Sequence, residues 1–243
     1  MAVMQSSRMR LLLFDIDGTL VDTGGIGRGA LQQGMRVAFP KESEQSEMPA
    51  LDLGGTTDGG VTRFLFENFG VPHSEENENK FLAAYIDVLK ERLSPIGQAP
   101  PGGILSGVED LLDRLGSEAD VTVTLLTGNT RAGADVKMKA YGLAGHFDFD
   151  CGAYGCDHWD RDQLGPVAVE RASTKRAHGF SSDQVFVIGD TPKDISCGKA
   201  VGAQTVAVAT GGFDKAALGS WDPDYLLDDL SDVEMVLSVL LDQ

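Results

Sequence analysis

The chain has 243 residues and a formal net charge of −17, from 37 acidic against 20 basic side chains. That length supports a sizeable core, either as one large domain or as a core with a smaller insert. The charge repels phosphate backbones and anionic lipid surfaces, so nucleic acid and membranes are excluded as general partners.

Met1 to Arg10 lacks the long apolar stretch of a secretory signal, and no segment offers the roughly 18 uninterrupted apolar residues of a membrane span. A cytoplasmic location is expected. Cys151, Cys156 and Cys197 are an odd set without paired CxxC spacing, which predicts reduced thiols. With His158, the first two offer only part of the four-ligand set of a closed zinc site; the other reading is packing around a loop. Oligomeric state carries no signature.

The first element is the apolar run Met9 to Phe14, which reads as a buried strand ending in Asp15-Ile16-Asp17-Gly18-Thr19. Two carboxylates at i and i+2 put charge where a folding chain has no use for it. One can attack or bind a metal while the other manages a proton, and Gly18 permits a tight turn. From about Gly24 to Pro100 runs an interval far longer than a crossover helix requires. Phe64, Leu65, Phe66 and Phe69, then Phe81, Leu82, Tyr85, Ile86, Leu89 and Leu93, recur at helical spacing, which predicts a mostly helical insert. Gly24-Gly25 and Pro100-Pro101-Gly102-Gly103 bound it as hinges or ordinary turns. Lys41 to Glu47 and Ser74 to Lys80 read as exposed connections.

Beyond the insert, Val108 to Leu115 reads as a helix and Val121 to Leu126 as a strand, followed by Thr127-Gly128-Asn129-Thr130 and a helical stretch around Asp135 to Tyr141. A hydroxyl and free N–H groups at a helix start make a phosphate cradle, although Thr127 or Thr130 serves equally well as an N-cap. Leu164 to His178 is helical in pattern. The strand Val185 to Ile188 then ends in Gly189-Asp190-Thr191-Pro192-Lys193-Asp194. Two acids four residues apart, beside those of the first strand, make an oxygen-rich pocket suited to Mg²⁺; capping the next helix is the other reading of Asp194. Thr205 to Val208 is a further strand, and Val233, Val236, Leu237, Leu240 and Leu241 mark a final amphipathic helix. Strand, helix, strand repeated in this way predicts an α/β fold with a parallel sheet, whose site residues gather just past the strands. His146 and His178 sit beside glycines near helix ends, where the helix dipole explains them.

Together these residues resemble the haloacid dehalogenase superfamily of phosphotransferases. The first motif, DxDGT, stands at Asp15 to Thr19; the second, a Ser or Thr after the next strand, at Thr127; the fourth, GDxxxD, at Asp190 and Asp194. The resemblance implies a Rossmann-like core of residues 1–23 and 101–243 with helices on both faces of the sheet, and an inserted helical cap of residues 24–100. It implies that Asp15 is a nucleophile forming an aspartyl-phosphate and that Asp17 is the general acid and base. Thr127, with Gly128 and Asn129, would bind the phosphoryl oxygens. Asp15, Asp190 and the backbone carbonyl of Asp17 would hold Mg²⁺, with Asp194 supporting the metal shell.

The third motif, a lysine usually followed by proline, is where this chain departs. Arg161 in Asp160-Arg161-Asp162 occupies the family position and can pair with both nucleophile and phosphate; Lys175, late in the helical stretch, is the competing cation and reads as a surface residue. Dehalogenases lack the second acid, so Asp17 favours phosphoryl transfer. Thr210-Gly211-Gly212-Phe213, Asp222-Pro223-Asp224-Tyr225 and Gly107-Val108-Glu109 are similar to phosphoglycolate-phosphatase-like members.

The resemblance therefore implies a Mg²⁺-dependent phosphatase acting on a small phosphorylated metabolite, phosphoglycolate-like or another short ester. A phosphosugar mutase on the same scaffold tends to carry a histidine where this chain has Gly24-Gly25-Ile26-Gly27-Arg28. Phosphonate cleavage needs a cap lysine, and Lys41, Lys80 and Lys90 all lie in polar contexts. A binding or regulatory protein without turnover is the remaining alternative. Arg28, Thr56, Thr57 and Arg63 are insert residues able to face the site, and Asp22 either orients the hinge or caps a helix.

Overall fold

The computed structural model describes residues 9–44, 48–50, 54–94 and 99–241. Its centre is β1 (Arg10–Phe14), whose five residues are all buried. A continuous apolar run suits a strand covered on both faces, and each fully buried Leu or Phe contributes roughly 1.5–3 kcal/mol of apolar burial. β1 pairs in parallel with β4 (Val121–Thr127) on one side and β6 (Val185–Gly189) on the other. β5 (Ala153–Tyr154) adds to β4, and β7 (Gln204–Val208) and β8 (Tyr225–Leu227) extend beyond β6, giving the order β5-β4-β1-β6-β7-β8. After β1 the chain builds one wing and then the other, so the rim at β1, β4 and β6 is the point where strand order reverses. Side chains that follow those three strands necessarily meet there.

Helices α5 (Val108–Leu115), α6 (Arg131–Ala140), α7 (Leu164–Arg176) and α8 (Pro192–Ala200) connect the strands; α9 (Lys215–Gly219) and α10 (Val233–Leu241) follow β7 and β8. The parallel α/β architecture matches the expectation. The two shortest sheet strands, β5 and β8, were not foreseen.

Between β1 and β4 lies the helical insertion: α1 (Ile26–Ala38), α2 (Pro40–Ser43), α3 (Asp58–Phe69) and α4 (Glu75–Leu93). It leaves and returns through a short antiparallel pair, β2 (Val21–Asp22) against β3 (Gly103–Ile104), which sets its two linkers side by side. The Tyr141 hydroxyl donates to the Pro101 carbonyl at 2.5 Å and steadies that junction. α1 and α4 approach closely because Gly34 carries no side chain: a Cβ there would lie 2.8 Å from the Tyr85 Cα. Phe39, Phe66 and Phe81 stack edge to face beneath them, with ring centroids 5.5 and 5.9 Å apart. Of the connection expected at Lys41 to Glu47, Pro40–Ser43 forms α2, and residues 45–47 lie outside the described residues. Most of the connection expected from Ser74 is instead the start of α4, which Ser74 caps.

Candidate active site

The rim of the sheet gathers four separate stretches of chain. Asp15 follows β1, its N–H donating to the Ile188 carbonyl at 2.9 Å, and Asp190 follows β6. Asp194 lies in the first turn of α8, where it shares a capping box with Thr191: its Oδ2 accepts the Thr191 N–H at 3.0 Å while the Thr191 hydroxyl caps the helix. The capping reading of Asp194 holds, and the same carboxylate also lies close to Asp15 and Asp190. Among the described residues these three buried acids form the one group of His, Cys, Asp and Glu side chains placed to share a metal ion.

Glycines make the close approach possible. Gly18 has φ +86° and a Cβ there would fall 2.7 Å from the Asp190 Cγ. Thr19 Oγ1 donates to Asp190 Oδ1 at 3.1 Å, and the Thr210 hydroxyl donates to the Gly18 carbonyl at 2.5 Å.

Arg161 is the cation of this cluster. It lies at the start of the short turn before α7, 5% exposed, and its Nη2 donates to Asp15 Oδ1 at 2.8 Å and to Asp194 Oδ1. Lys175, the competing candidate, pairs with Asp148 at 2.7 Å and Asp150 at 3.2 Å on the surface, remote from the three acids. Burial raises the Asp15 carboxyl, with Arg161 pulling it back; burial, then the charges of Asp15 and Asp194, raises Asp190. One guanidinium among three buried carboxylates leaves the cluster short of positive charge. An all-oxygen donor set in that electrostatic state fits a hard divalent cation.

The Thr127 hydroxyl is fully buried at the end of β4 and accepts the Asn129 side-chain amide at 2.9 Å. The N-cap of α6 is Thr130, not Thr127. Asp15, Thr127, Gly128, Asn129, Arg161 and Asp190 all line one cavity of 460 Å³. Arg28 and Thr56 of the insertion line it too. Thr57 instead caps α3 and donates to the Trp159 carbonyl at 2.7 Å, while Arg63 is exposed, 3.5 Å from Glu67. Asp22 accepts the Gly24 N–H at 2.8 Å, an Asx turn at the first linker.

The Asp17 carboxylate stands outside the three-acid cluster. It turns toward Lys137 on α6, whose Nζ lies 2.7 and 2.5 Å from its two oxygens and 2.6 Å from Asn129 Oδ1. Asn129 Nδ2 also donates to Asp17 Oδ2 at 2.8 Å. Sequence reasoning missed Lys137, a buried lysine at the site. The available signal was its place on the stripe Ala134, Lys137, Met138 and Tyr141, whose other members are all buried.

The insertion closes one side of the site. Asp58 accepts the Thr130 N–H at 2.7 Å and gives its own N–H to the Gly128 carbonyl at 2.6 Å; Arg161 Nη1 reaches the Gly55 carbonyl at 3.4 Å. Burial pushes the Asp58 carboxyl up to about 6, with the Thr130 N–H and Lys137 opposing it. Of the two readings of Cys151, Cys156 and His158, zinc is not supported: Cys151 is buried, Cys156 is exposed, and among the described residues they form no metal-binding group.

The haloacid dehalogenase-like hydrolase family matches residues 12–208. The phosphoglycolate phosphatase of Aquifex aeolicus is 26% identical over 227 residues, covering 93% of this chain and 95% of its own. The pyrophosphatase PpaX of Bacillus velezensis is 23% identical over 236 residues, covering 97% and 100%. A β-phosphoglucomutase-like structure from Bacteroides vulgatus superposes with a TM-score of 0.65 at 21% identity, covering 98% of this chain and 93% of its own; this likeness speaks for the fold alone. No helix among the described residues is long and apolar enough to cross a membrane.

Proposed function

Since the chain belongs to the haloacid dehalogenase-like hydrolase family, we propose that it is a Mg²⁺-dependent phosphatase that hydrolyses a small phosphomonoester through an aspartyl-phosphate on Asp15. The observation that carries this reading is the Asp15 carboxylate: buried, gripped by Arg161 at 2.8 Å, grouped with Asp190 and Asp194, and lining with Asp190 and Thr127 a single cavity. Phosphatase and pyrophosphatase names among the relatives agree with it.

A carboxylate repels a phosphate dianion, so the site must supply offsetting positive charge. Asp15, Asp190 and Asp194 would hold Mg²⁺, which when bound supplies a Lewis acid for the phosphoryl oxygens. Arg161 fixes the attacking oxygen of Asp15 while the Thr127 hydroxyl and nearby backbone N–H groups receive the phosphoryl group. Asp15 forms a bond to phosphorus as the ester P–O bond breaks, and Asp17 gives a proton to the leaving oxygen. Water then attacks the same phosphorus, its proton passes to Asp17, and the bond to Asp15 breaks to free inorganic phosphate.

The partner is a small phosphorylated metabolite, phosphoglycolate-like or another short ester, and the reading places the enzyme in the cytoplasm with its thiols reduced. Phosphate release from p-nitrophenyl phosphate with and without Mg²⁺, by wild type and Asp15→Asn, tests the reaction. Equal rates in the two proteins refute it. Ranking phosphorylated metabolites by kcat/KM then identifies the substrate.

A further inference from the structure

Every hydrogen of the Lys137 ammonium already has a partner: two go to the oxygens of Asp17 and one to Asn129 Oδ1. The lysine side chain is 3% exposed and the Asp17 side chain 40%, and both line the cavity, with the carboxylate the more open of the two. An ammonium so placed has no donor left for substrate. Contact with both oxygens fixes the plane of the carboxylate as well as its direction.

The surroundings of the ammonium tie it to the rest of the site. Asn129 joins it to Thr127 Oγ1, so the proposed phosphate cradle and proton carrier share one network. From the insertion, Gly27 lies directly over it: a Cβ at Gly27 would stand 3.4 Å from Nζ.

We propose that Lys137 is a positioning residue that orients Asp17 to accept the proton of the water attacking the aspartyl-phosphate. This rests on the phosphatase reading of the same site. In that half-reaction the water oxygen bonds to phosphorus, the bond from phosphorus to Asp15 breaks, and the water proton passes to Asp17. With an aryl phosphate the first half-reaction needs no proton, because the leaving group departs as a phenolate. Loss of Lys137 therefore slows the second half alone.

The test is turnover of p-nitrophenyl phosphate with Mg²⁺ by wild type, Lys137→Met, Lys137→Gln and Lys137→Arg, with intact-protein mass spectrometry during turnover and a thermal melt of each variant. In both neutral variants kcat and KM are expected to fall together, on the order of tenfold to a hundredfold, leaving kcat/KM near wild type. A nitrophenolate burst precedes the steady state, the phosphorylated chain accumulates, and Lys137→Arg recovers part of kcat. A merely structural lysine would lower kcat/KM with kcat and leave the chain unphosphorylated; that result, or an unchanged kcat, overturns the positioning role. If wild type releases no more phosphate than Asp15→Asn, the phosphatase reading itself falls and takes this role with it.

Discussion

Asp58, in the first turn of insertion helix α3, receives the backbone N–H of Thr130 at 2.7 Å, so a carboxylate of the insertion holds the N-cap residue of core helix α6. The bond is buried and spans 72 residues of chain, and it ties the insertion to the loop that carries Thr127, Gly128 and Asn129.

The buried Asp58 carboxyl has a pH signature, which burial sets and the Thr130 bond opposes. The Asp58 carboxyl is pushed by burial from 3.8 to about 6. Its folded-state value lies above its unfolded one, so the native chain holds the extra proton between them, and stability falls as pH rises through that window. Asp58→Asn removes this slope. Urea unfolding from pH 4 to 7 should show wild type losing up to about 3 kcal/mol more than the variant. Parallel curves would mean that Asp58 ionises normally.

Arg161 and Lys175 should separate cleanly. Arg161→Met strands the buried carboxylates of Asp15 and Asp194, a change that costs about 3–5 kcal/mol when a buried ion pair loses one partner. Lys175→Met removes only surface pairs and should leave the denaturation midpoint close to wild type. Denaturant midpoints of the two variants check this, and similar losses in both would contradict it.

What the sequence could and could not disclose follows from the same residues. Asp15, Asp17 and Asp190 stood out because each follows an apolar run that needs no charge, and strand order then brings the strand ends together. Arg161 was readable through its place before α7, whereas the direction of the Asp17 carboxylate was not. Lys137 hid among Arg131, Asp135 and Lys139, so the helix reads as a solvated face unless its buried stripe is traced. β2, β3 and β5 have two residues each, too few for a period of alternation to show. Helix α1 was obscured by its glycines. Gly34 is there because α4 lies against it, a tertiary reason that local pattern does not carry.

That packing gives its own test. Gly34→Ala places a methyl 2.8 Å from the Tyr85 Cα, where backbone must move to admit it. Overpacking of this kind costs about 1–3 kcal/mol. Urea unfolding should show that loss; an unchanged midpoint would indicate a looser contact between α1 and α4.

Metal binding should be visible without catalysis. Mg²⁺ at a hundredfold its dissociation constant stabilises the folded chain by about 2.7 kcal/mol, so the melting temperature of wild type rises with added Mg²⁺. Asp190→Asn loses a carboxylate ligand of the ion and its rise should be largely abolished. Burial and the charges of Asp15 and Asp194 hold the metal-free Asp190 carboxyl toward its neutral form, which an amide replaces closely, so the metal-free variant should melt no lower than wild type. An equal Mg²⁺ response in both proteins would place the ion elsewhere.

The most direct test is to find the phosphoryl group on the chain. Borohydride reduction during turnover, followed by peptide mass spectrometry, should locate the reduced acyl-phosphate at Asp15 in wild type and find none in Asp15→Asn. Label on another residue, or turnover with no covalent intermediate at all, would contradict nucleophilic attack by Asp15.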